Sequence, residues 1–260
     1  MKRILSLILT AALLLSLCAC DGSGRYKVVE TIGEQQYSIG FRNGDSTYHY
    51  IYAALKELNK NGTIDRLSRE WFGNDGAVSF PGGKSNLSDF GYIAPRTFII
   101  GADLDSFPMC YFDGSNFNGF DVELAREVCS LLGWTLKIQP IHSDDAYVEL
   151  NSGNIDCAWG GVVLDTKSAD YTILTTYMTT DLVIAAKSST SSSLKGKSMF
   201  MGSAQHYLDV MSENESVSKK LGQITRVQGG TVDYFNCLNN GECDFILTTS
   251  SAVYYYNNNW

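Results

Sequence analysis

The chain has 260 residues, enough for one large domain or two ordinary ones, and a formal net charge of −8. This charge argues against a nucleic-acid partner, because neutralising phosphates requires a basic face and the sequence shows none. The cysteines and histidines lack the spacing of a zinc site, so no metal and no cofactor is predicted.

The N-terminus carries the features of an export signal. A positive start, Met1–Arg3, precedes the uncharged apolar run Ile4–Leu17, which is too short to span a bilayer comfortably. The run ends in the sequence Leu17–Cys20 (LCAC), which resembles the lipobox of bacterial lipoproteins. We therefore predict a signal peptide over residues 1–19, a lipid on Cys20 and a lipid-anchored tether over residues 20–24. The alternatives are an ordinary cleaved signal and an uncleaved anchor.

Five cysteines remain if Cys20 is lipidated, and an odd number cannot all pair. Buried thiols are therefore the favoured state. A disulfide between Cys237 and Cys243 stays open, because an exported protein meets oxidising conditions. The five are Cys110, Cys129, Cys157, Cys237 and Cys243.

The first third of the chain predicts two short strands, two helices and a linker. The strands are Tyr26–Val29 and Tyr37–Phe41, the helices run from Ser46 to Gly62 and from Ile64 to Trp71, and the linker covers residues 74–95. The linker is rich in glycine, proline and serine and has no periodicity, so it is expected to be a flexible coil. Its GKS letters lack the earlier glycine that a phosphate-binding loop requires.

The stretch from Thr97 to Gly133 predicts a strand, a loop and a helix. An apolar run over residues 98–102 is typical of a buried parallel strand, and ligands of open α/β folds gather where such strands end. The helix is indicated by Phe120, Leu124 and Val128 at spacings of four, with acidic residues in its first turn.

Strands and helices alternate over the rest of the chain, which predicts a mostly parallel sheet covered by helices and divided between two lobes. The predicted strands are residues 134–139, 155–159, 182–186, 199–201, 224–227 and 245–247, and the predicted helices are residues 144–150, 205–211, 232–238 and 250–256.

Four local patterns together resemble the extracellular solute-binding proteins, family 3, of polar amino-acid ABC importers. They are Asp103–Pro108 with Gly119–Ala125, Asn151–Asp156, Leu194–Lys197 and Asn240–Asp244. The resemblance implies an α/β, two-lobed type II periplasmic-binding-protein fold that closes on a small polar solute such as an amino acid. It also implies an extracytoplasmic protein without catalytic activity, anchored to the membrane through its lipid, whose partners are the membrane subunits of an ABC permease.

The order of the segments differs from that of the family. The family's closing segment resembles residues 37–73, which here stand at the front, so the chain is predicted to be a circular permutant. Lobe 1 would comprise residues 36–180, with the linker 74–95 joining the family's old termini, and lobe 2 would comprise residues 25–35 and 181–260. The strands would cross between lobes near residues 33–36 and 178–182. A monomer is expected, and the alternative is a fragment that swaps pieces with a neighbouring molecule.

The resemblance also implies where a ligand would lie. The family holds an amino acid's carboxylate with an arginine and its ammonium with an aspartate, but here Ser168 and Thr249 stand at those places, so the ligand's identity stays open. Carried over by position or by available aromatic surface, the candidate ligand-binding residues are Asp103, Phe107, Tyr111, Ser143, Trp159, Gly161, Val163, Ser168, Ser203 and Thr249. Ser203 belongs to a loop before a helix, where backbone N–H groups can bind an anion.

Each candidate has an alternative role. Asp103 is equally expected as a hydrogen-bond acceptor in its own loop, and Trp159 as a core residue. His206 is expected to be exposed, with a pocket donor as the alternative. Two other functions stay open: a sensor or scaffold that does not transport, and a dehydratase-like enzyme using Asp103, Glu149 or His206 as acid or base.

Overall fold

The structure, a computed structural model, describes residues 24–227 and 231–259, and the side chains of residues 231 and 232 are not described. The predicted signal peptide and Cys20 lie outside these residues. The strands are β1 (Tyr26–Arg42), β2 (Thr97–Ala102), β3 (Tyr111–Phe112), β4 (Phe117–Asn118), β5 (Thr135–Pro140), β6 (Cys157–Ala158), β7 (Tyr171–Lys187), β8 (Ser198–Gly202), β9 (Gln223–Val227) and β10 (Phe245–Thr249). The helices are α1 (Thr47–Lys60), α2 (Thr63–Phe72), α3 (Phe120–Leu132), α4 (Ala146–Ser152), α5 (Gln205–Glu213), α6 (Glu215–Ser218), α7 (Thr231–Asn240) and α8 (Ser250–Asn259).

Eight strands form one mixed sheet in the order β5-β2-β6-β1-β7-β10-β8-β9. At its two ends the strands pair in parallel, as the alternation of strands and helices predicted: β2 with β5 and β6, and β8 with β9 and β10. The middle differs from the prediction, because β1 runs antiparallel to β6 and β7, and β10 runs antiparallel to β7.

Two long strands, β1 and β7, form the centre of the sheet. Each has 17 residues, and they pair from Tyr26 with Lys187 to Arg42 with Tyr171. The prediction of two separate strands at residues 26–29 and 37–41 was therefore wrong, because the polar residues between them also pair with β7. Register shifts interrupt the ladder, consistent with the bending that bulges give long strands.

Strands β1 and β7 contribute side chains to two different hydrophobic cores along their length. Tyr37 on β1 and Met178 on β7 belong to a large core that also includes residues of α1, α2, β2 and α3. Ile32 on β1 and Leu182 on β7 belong to a second core with β8, α5 and β10. Tyr37 pairs with Met178 across the ladder, so both strands pass from one core to the other at the same level of the sheet.

Helix α3 forms where the spacing of apolar residues in the sequence predicted it. Phe120, Leu124 and Val128 are fully buried in the large core, at the predicted spacing of four. Burial of such side chains contributes about 1.5–3 kcal/mol each to stability. The helix ends at Gly133, whose φ of 70° is left-handed and satisfies the last carbonyl groups through its N–H.

The segment over residues 74–95 is packed, contrary to the expected flexible coil. Val78 and Phe80 are buried in the large core, and the ring of Phe80 stacks on that of Tyr177 with centroids 5.0 Å apart. The Ser79 N–H also donates a 2.7 Å hydrogen bond to the Tyr177 carbonyl oxygen. Two apolar side chains therefore anchor a segment whose composition is otherwise that of a loop.

The five cysteines within the described residues are free thiols, including Cys237 and Cys243. Burial raises the pKa of the Cys129 thiol to about 12, which makes it unreactive at neutral pH. Within residues 24–227 and 231–259, none of the helices has the length and apolar character needed to cross a membrane.

Candidate functional site

Two adjoining cavities form a groove, in which Val163 packs against the large core and Leu182 and Val210 belong to or pack against the second core. Its inner part, a cavity of about 290 Å³, lies between Gln35 on β1 and Val210 on α5. Its outer part, a cavity of about 410 Å³, lies between residues 143–147 and 165–171 on one side and Gln205–Asp209 of α5 on the other. Val163, Leu164 and His206 line both cavities, so the two parts adjoin.

Asp103 fixes one wall of the groove. The N–H and the hydroxyl of Ser143 donate to Asp103 Oδ2 over 2.9 and 2.6 Å, and the Asp105 N–H donates to Oδ1 over 3.0 Å. Ser143 Oγ in turn accepts the Val163 N–H at 3.0 Å. Three residues predicted for the site, Asp103, Ser143 and Val163, are thus in one hydrogen-bond network. Within it Asp103 accepts hydrogen bonds from its own loop and from Ser143, which is the role predicted as the alternative to ligand binding. Its contact with a ligand stays a prediction.

A second buried carboxylate holds the loop that contains Gly161. Asp121 Oδ2 accepts the Gly161 N–H at 2.7 Å, and the Gly161 carbonyl accepts the Ser106 hydroxyl at 2.6 Å. Gly161 has a φ of +73°, and a Cβ added there would collide with the Ser106 side chain. The position therefore requires glycine for two reasons, backbone conformation and lack of space. Gly161 itself contributes backbone groups to this network.

The N-terminus of α5 meets a carboxylate of the protein itself. The Gln205 N–H donates to Asp144 over 3.1 Å to Oδ2 and 3.3 Å to Oδ1. A negative charge is favourable at this end of a helix, because the helix dipole is positive there. The loop containing Ser203 was expected to offer such N–H groups to a bound anion. In the structure, the first N–H of the helix is bound to Asp144, which links the two sides of the groove.

Four carboxylates give the outer part of the groove a negative charge, since neutral groups are their hydrogen-bond donors. Asp165 accepts the Lys167 N–H, Asp170 accepts the Ser168 hydroxyl, and Asp209 accepts the Gln205 side-chain amide, while Asp144 binds the helix N–H. Within residues 24–227 and 231–259, no lysine or arginine forms an ion pair with any of the four. Such a field attracts cations and repels anions.

Two polar side chains, one buried and one half-buried, line the inner part. Gln35 is 3% exposed; its Nε2 donates to the Tyr37 hydroxyl at 2.6 Å, but its Oε1 has no partner among the described residues. Both ring nitrogens of His206 are also buried without a partner in this part of the chain. The expectation that His206 is exposed was wrong, because its helix packs against the groove. Burial lowers the pKa of His206, although the nearby Asp103, Asp144 and Asp209 raise it.

The remaining predicted site residues lie away from these two cavities. Phe107 and Trp159 are almost fully buried, and the Phe107 ring lies 5.1 Å from those of Tyr111 and Tyr255. Thr249 Oγ1 accepts the Ala252 N–H at 3.3 Å, inside the first turn of α8. Ser203 is half-buried beside α5. The predicted residues that line the groove itself are Ser143, Val163 and Ser168.

A comparison with known protein families identifies the family of this chain. The family described as bacterial extracellular solute-binding proteins, family 3, matches residues 98–241, more than half of the chain. The chain belongs to this family. The predicted α/β fold of the type II periplasmic-binding-protein class is thereby confirmed.

Solved structures of similar proteins include three binding proteins. One is a substrate-binding protein of an ABC uptake transporter from Streptococcus pneumoniae with bound histidine, 24% identical over 62% of this chain and 68% of that chain, with a TM-score of 0.47. An ancestral arginine-binding protein bound to glutamine is 18% identical over 62% and 72%, with a TM-score of 0.43. The ancestral amino acid-binding protein AncCDT-1, a precursor of cyclohexadienyl dehydratase, is 20% identical over 61% and 73%, with a TM-score of 0.46.

Proposed function

We propose that this protein is the extracytoplasmic solute-binding component of an ABC importer, and that the groove binds a small polar solute. The observation that supports this most is the position of the groove, which has one core on each side and the paired strands β1 and β7 at its inner end. Strands that connect two packed bodies can act as a hinge, and closure around a ligand is the movement expected of such an arrangement. The membrane subunits of a permease would receive the closed form.

We place the two lobes at residues 36–180 and at residues 25–35 with 181–260. The change of core between Ile32 and Tyr37 on β1, and between Met178 and Leu182 on β7, supports these boundaries. The hydrogen bond from Gln205 to Asp144 would then connect the lobes at the mouth of the groove. A lipid on Cys20 would hold the protein at the membrane surface.

The proposed circular permutation is supported by contacts between the two ends of the described chain. The Tyr26 N–H donates to Asn257 Oδ1 at 2.8 Å, and Asn257 Nδ2 donates to the Tyr26 carbonyl at 2.9 Å. Termini that lie close together are a condition for permutation. Helices α1 and α2 contribute Leu55 and Leu67 to the core that contains α3, as displaced closing helices would. Light scattering of purified protein should give the mass of a monomer, whereas a dimer would favour swapping.

Thermal unfolding with a panel of solutes tests the proposed function. The panel contains amino acids, peptides, small organic acids and small amines. A solute at a hundred times its dissociation constant should stabilise the folded protein by about 2.7 kcal/mol. At least one class is expected to raise the melting temperature in a concentration-dependent manner. If no class does so, the protein is not a binder of small polar solutes, and a scaffold role would be favoured.

A further inference from the structure

We propose that the groove selects a small organic cation with two separated amino groups and no carboxylate, such as an alkyl diamine. This inference rests on the proposed solute-binding function and specifies its ligand class. It is carried by the distribution of acceptors, apolar surface and negative charge along the two adjoining cavities.

Gln35 lines the inner cavity and carries a buried acceptor that is unsatisfied within the described residues. The Gln35 residue is only 3% exposed, and its Oε1 has no donor among the described residues. A buried carbonyl oxygen without a donor is costly, so the site favours a ligand that brings an N–H group to it. His206 lines the same cavity, and its two buried ring nitrogens have no partner among the described residues. An amino group could donate to both side chains.

The middle of the groove is apolar. Val163 and Leu164 line both cavities, and Leu182 and Val210 line the inner one. Methylene groups of a ligand would be removed from water against these side chains, which is favourable in proportion to the apolar area buried. An alkyl chain between two polar ends matches this arrangement better than a compact polar solute does.

The outer cavity supplies acceptors with negative charge. Asp144, Asp165, Asp170 and Asp209 all line it, whereas no lysine or arginine is among the described residues that line it. Tyr147 and Tyr171 also line it, and the faces of such rings attract ammonium groups. A second amino group would therefore be stabilised at this end by charge and by the aromatic rings.

A carboxylate on the ligand has no comparable partner in the described groove. The residue at the place of the family's arginine is Ser168, whose hydroxyl donates to Asp170. The first N–H of α5 is already bound to Asp144. An amino acid would bring its carboxylate among like charges without a cation to offset them, so removing the carboxylate should strengthen binding.

Lysine and 1,5-diaminopentane provide a matched test, because they differ only in the carboxylate. Isothermal titration with the mature chain is expected to show at least tenfold tighter binding of 1,5-diaminopentane than of lysine, and at least tenfold tighter binding than of pentylamine, which lacks the second amino group. Equal or tighter binding of lysine would overturn the inference. Tight binding of another solute class without the diamine would overturn it and leave the proposed function standing. No response to any solute would reject both.

Substitutions in the two cavities test where the two amino groups of the diamine bind. Gln35→Leu removes the unsatisfied Oε1 together with the hydrogen bond from Nε2 to the Tyr37 hydroxyl, and should weaken diamine binding at least tenfold; thermal unfolding of the free variant checks that it folds. Asp209→Asn should weaken it comparably, and added salt should reduce the affinity of the unsubstituted protein. Asp89→Asn, an exposed carboxylate in the segment over residues 74–95, serves as the control and should bind normally. Unchanged affinity in both groove variants would show that the diamine binds elsewhere.

Discussion

The hydroxyl of Tyr177 donates a 2.6 Å hydrogen bond to Asp121 Oδ2, which joins strand β7 to the first turn of helix α3 inside the large core. The same oxygen accepts the Gly161 N–H, so a single buried carboxyl group connects the central sheet, α3 and the loop next to the groove. Desolvation raises the pKa of Asp121 to about 7, against the lowering effect of its hydrogen bonds.

Stability should therefore depend on pH through Asp121. Its pKa in the folded state lies above the ordinary value of 3.8, so its contribution is fully present below about pH 4 and is lost as the pH rises through about 7. A shift of this size corresponds to about 4 kcal/mol. Denaturant unfolding of Asp121→Asn and of the unsubstituted protein between pH 5 and 8 should show a declining stability only where the carboxyl is present.

The exposed Asp89→Asn variant is the control for this pH series and should keep the decline of the unsubstituted protein. An equal slope in Asp121→Asn and in the control would show that other groups cause the pH dependence.

Gly161→Ala should destabilise the protein more than Gly133→Ala. Both glycines have a φ near +70°, at which a side chain is strained, but only the new Cβ at Gly161 meets Ser106. Backbone strain alone costs about 1–3 kcal/mol, so urea unfolding should give that loss for Gly133→Ala and a larger one for Gly161→Ala. Equal losses of stability in the two variants would mean that the loop containing Gly161 rearranges without an energetic cost.

Phe80→Ala should lower the free energy of unfolding by about 3–5 kcal/mol, as for other buried phenylalanines. Phe80 is 8% exposed and stacks on Tyr177, although it lies in a segment that looks like a linker. Tyr92→Ala in the same segment is the matched control, because Tyr92 is 86% exposed and should change stability by less than about 0.5 kcal/mol. A loss as small as that of the control would mean that the segment is not anchored.

Asp144→Asn should weaken the link between the turn before α4 and the N-terminus of α5. The charge at the N-terminus of α5 would be lost, at a cost of about 0.3–1 kcal/mol in thermal or urea unfolding. The neighbouring Asp145→Asn serves as the control, since Asp145 makes no side-chain capping hydrogen bond. A larger loss in the control than in Asp144→Asn would contradict the assignment of the contact.

Local structure could be predicted from the sequence where a pattern is short and periodic. The spacing of Phe120, Leu124 and Val128 predicted α3, and its Gly133 end, because amphipathic burial depends on one helix face. The full length of β1 could not be predicted. Its middle contains glycine, glutamate and glutamine, and these residues become strand only because β7 pairs with them.

The groove was only partly predictable. Ser143, Val163 and Ser168 were found because they occupy places that matched the family. Gln35 gives no signal in the sequence, because its significance comes from a cavity formed with α5, some 170 residues later along the chain. The burial of His206 likewise depends on how its helix packs.

The most direct test of solute binding between the two cores is a crystal structure of the protein with the solute that stabilises it most. We expect the solute to contact Val163 and His206 in the groove, with an amino group within hydrogen-bond distance of Gln35 Oε1. A solute bound outside the groove, with the space beside Val163 and His206 left to solvent, would contradict it.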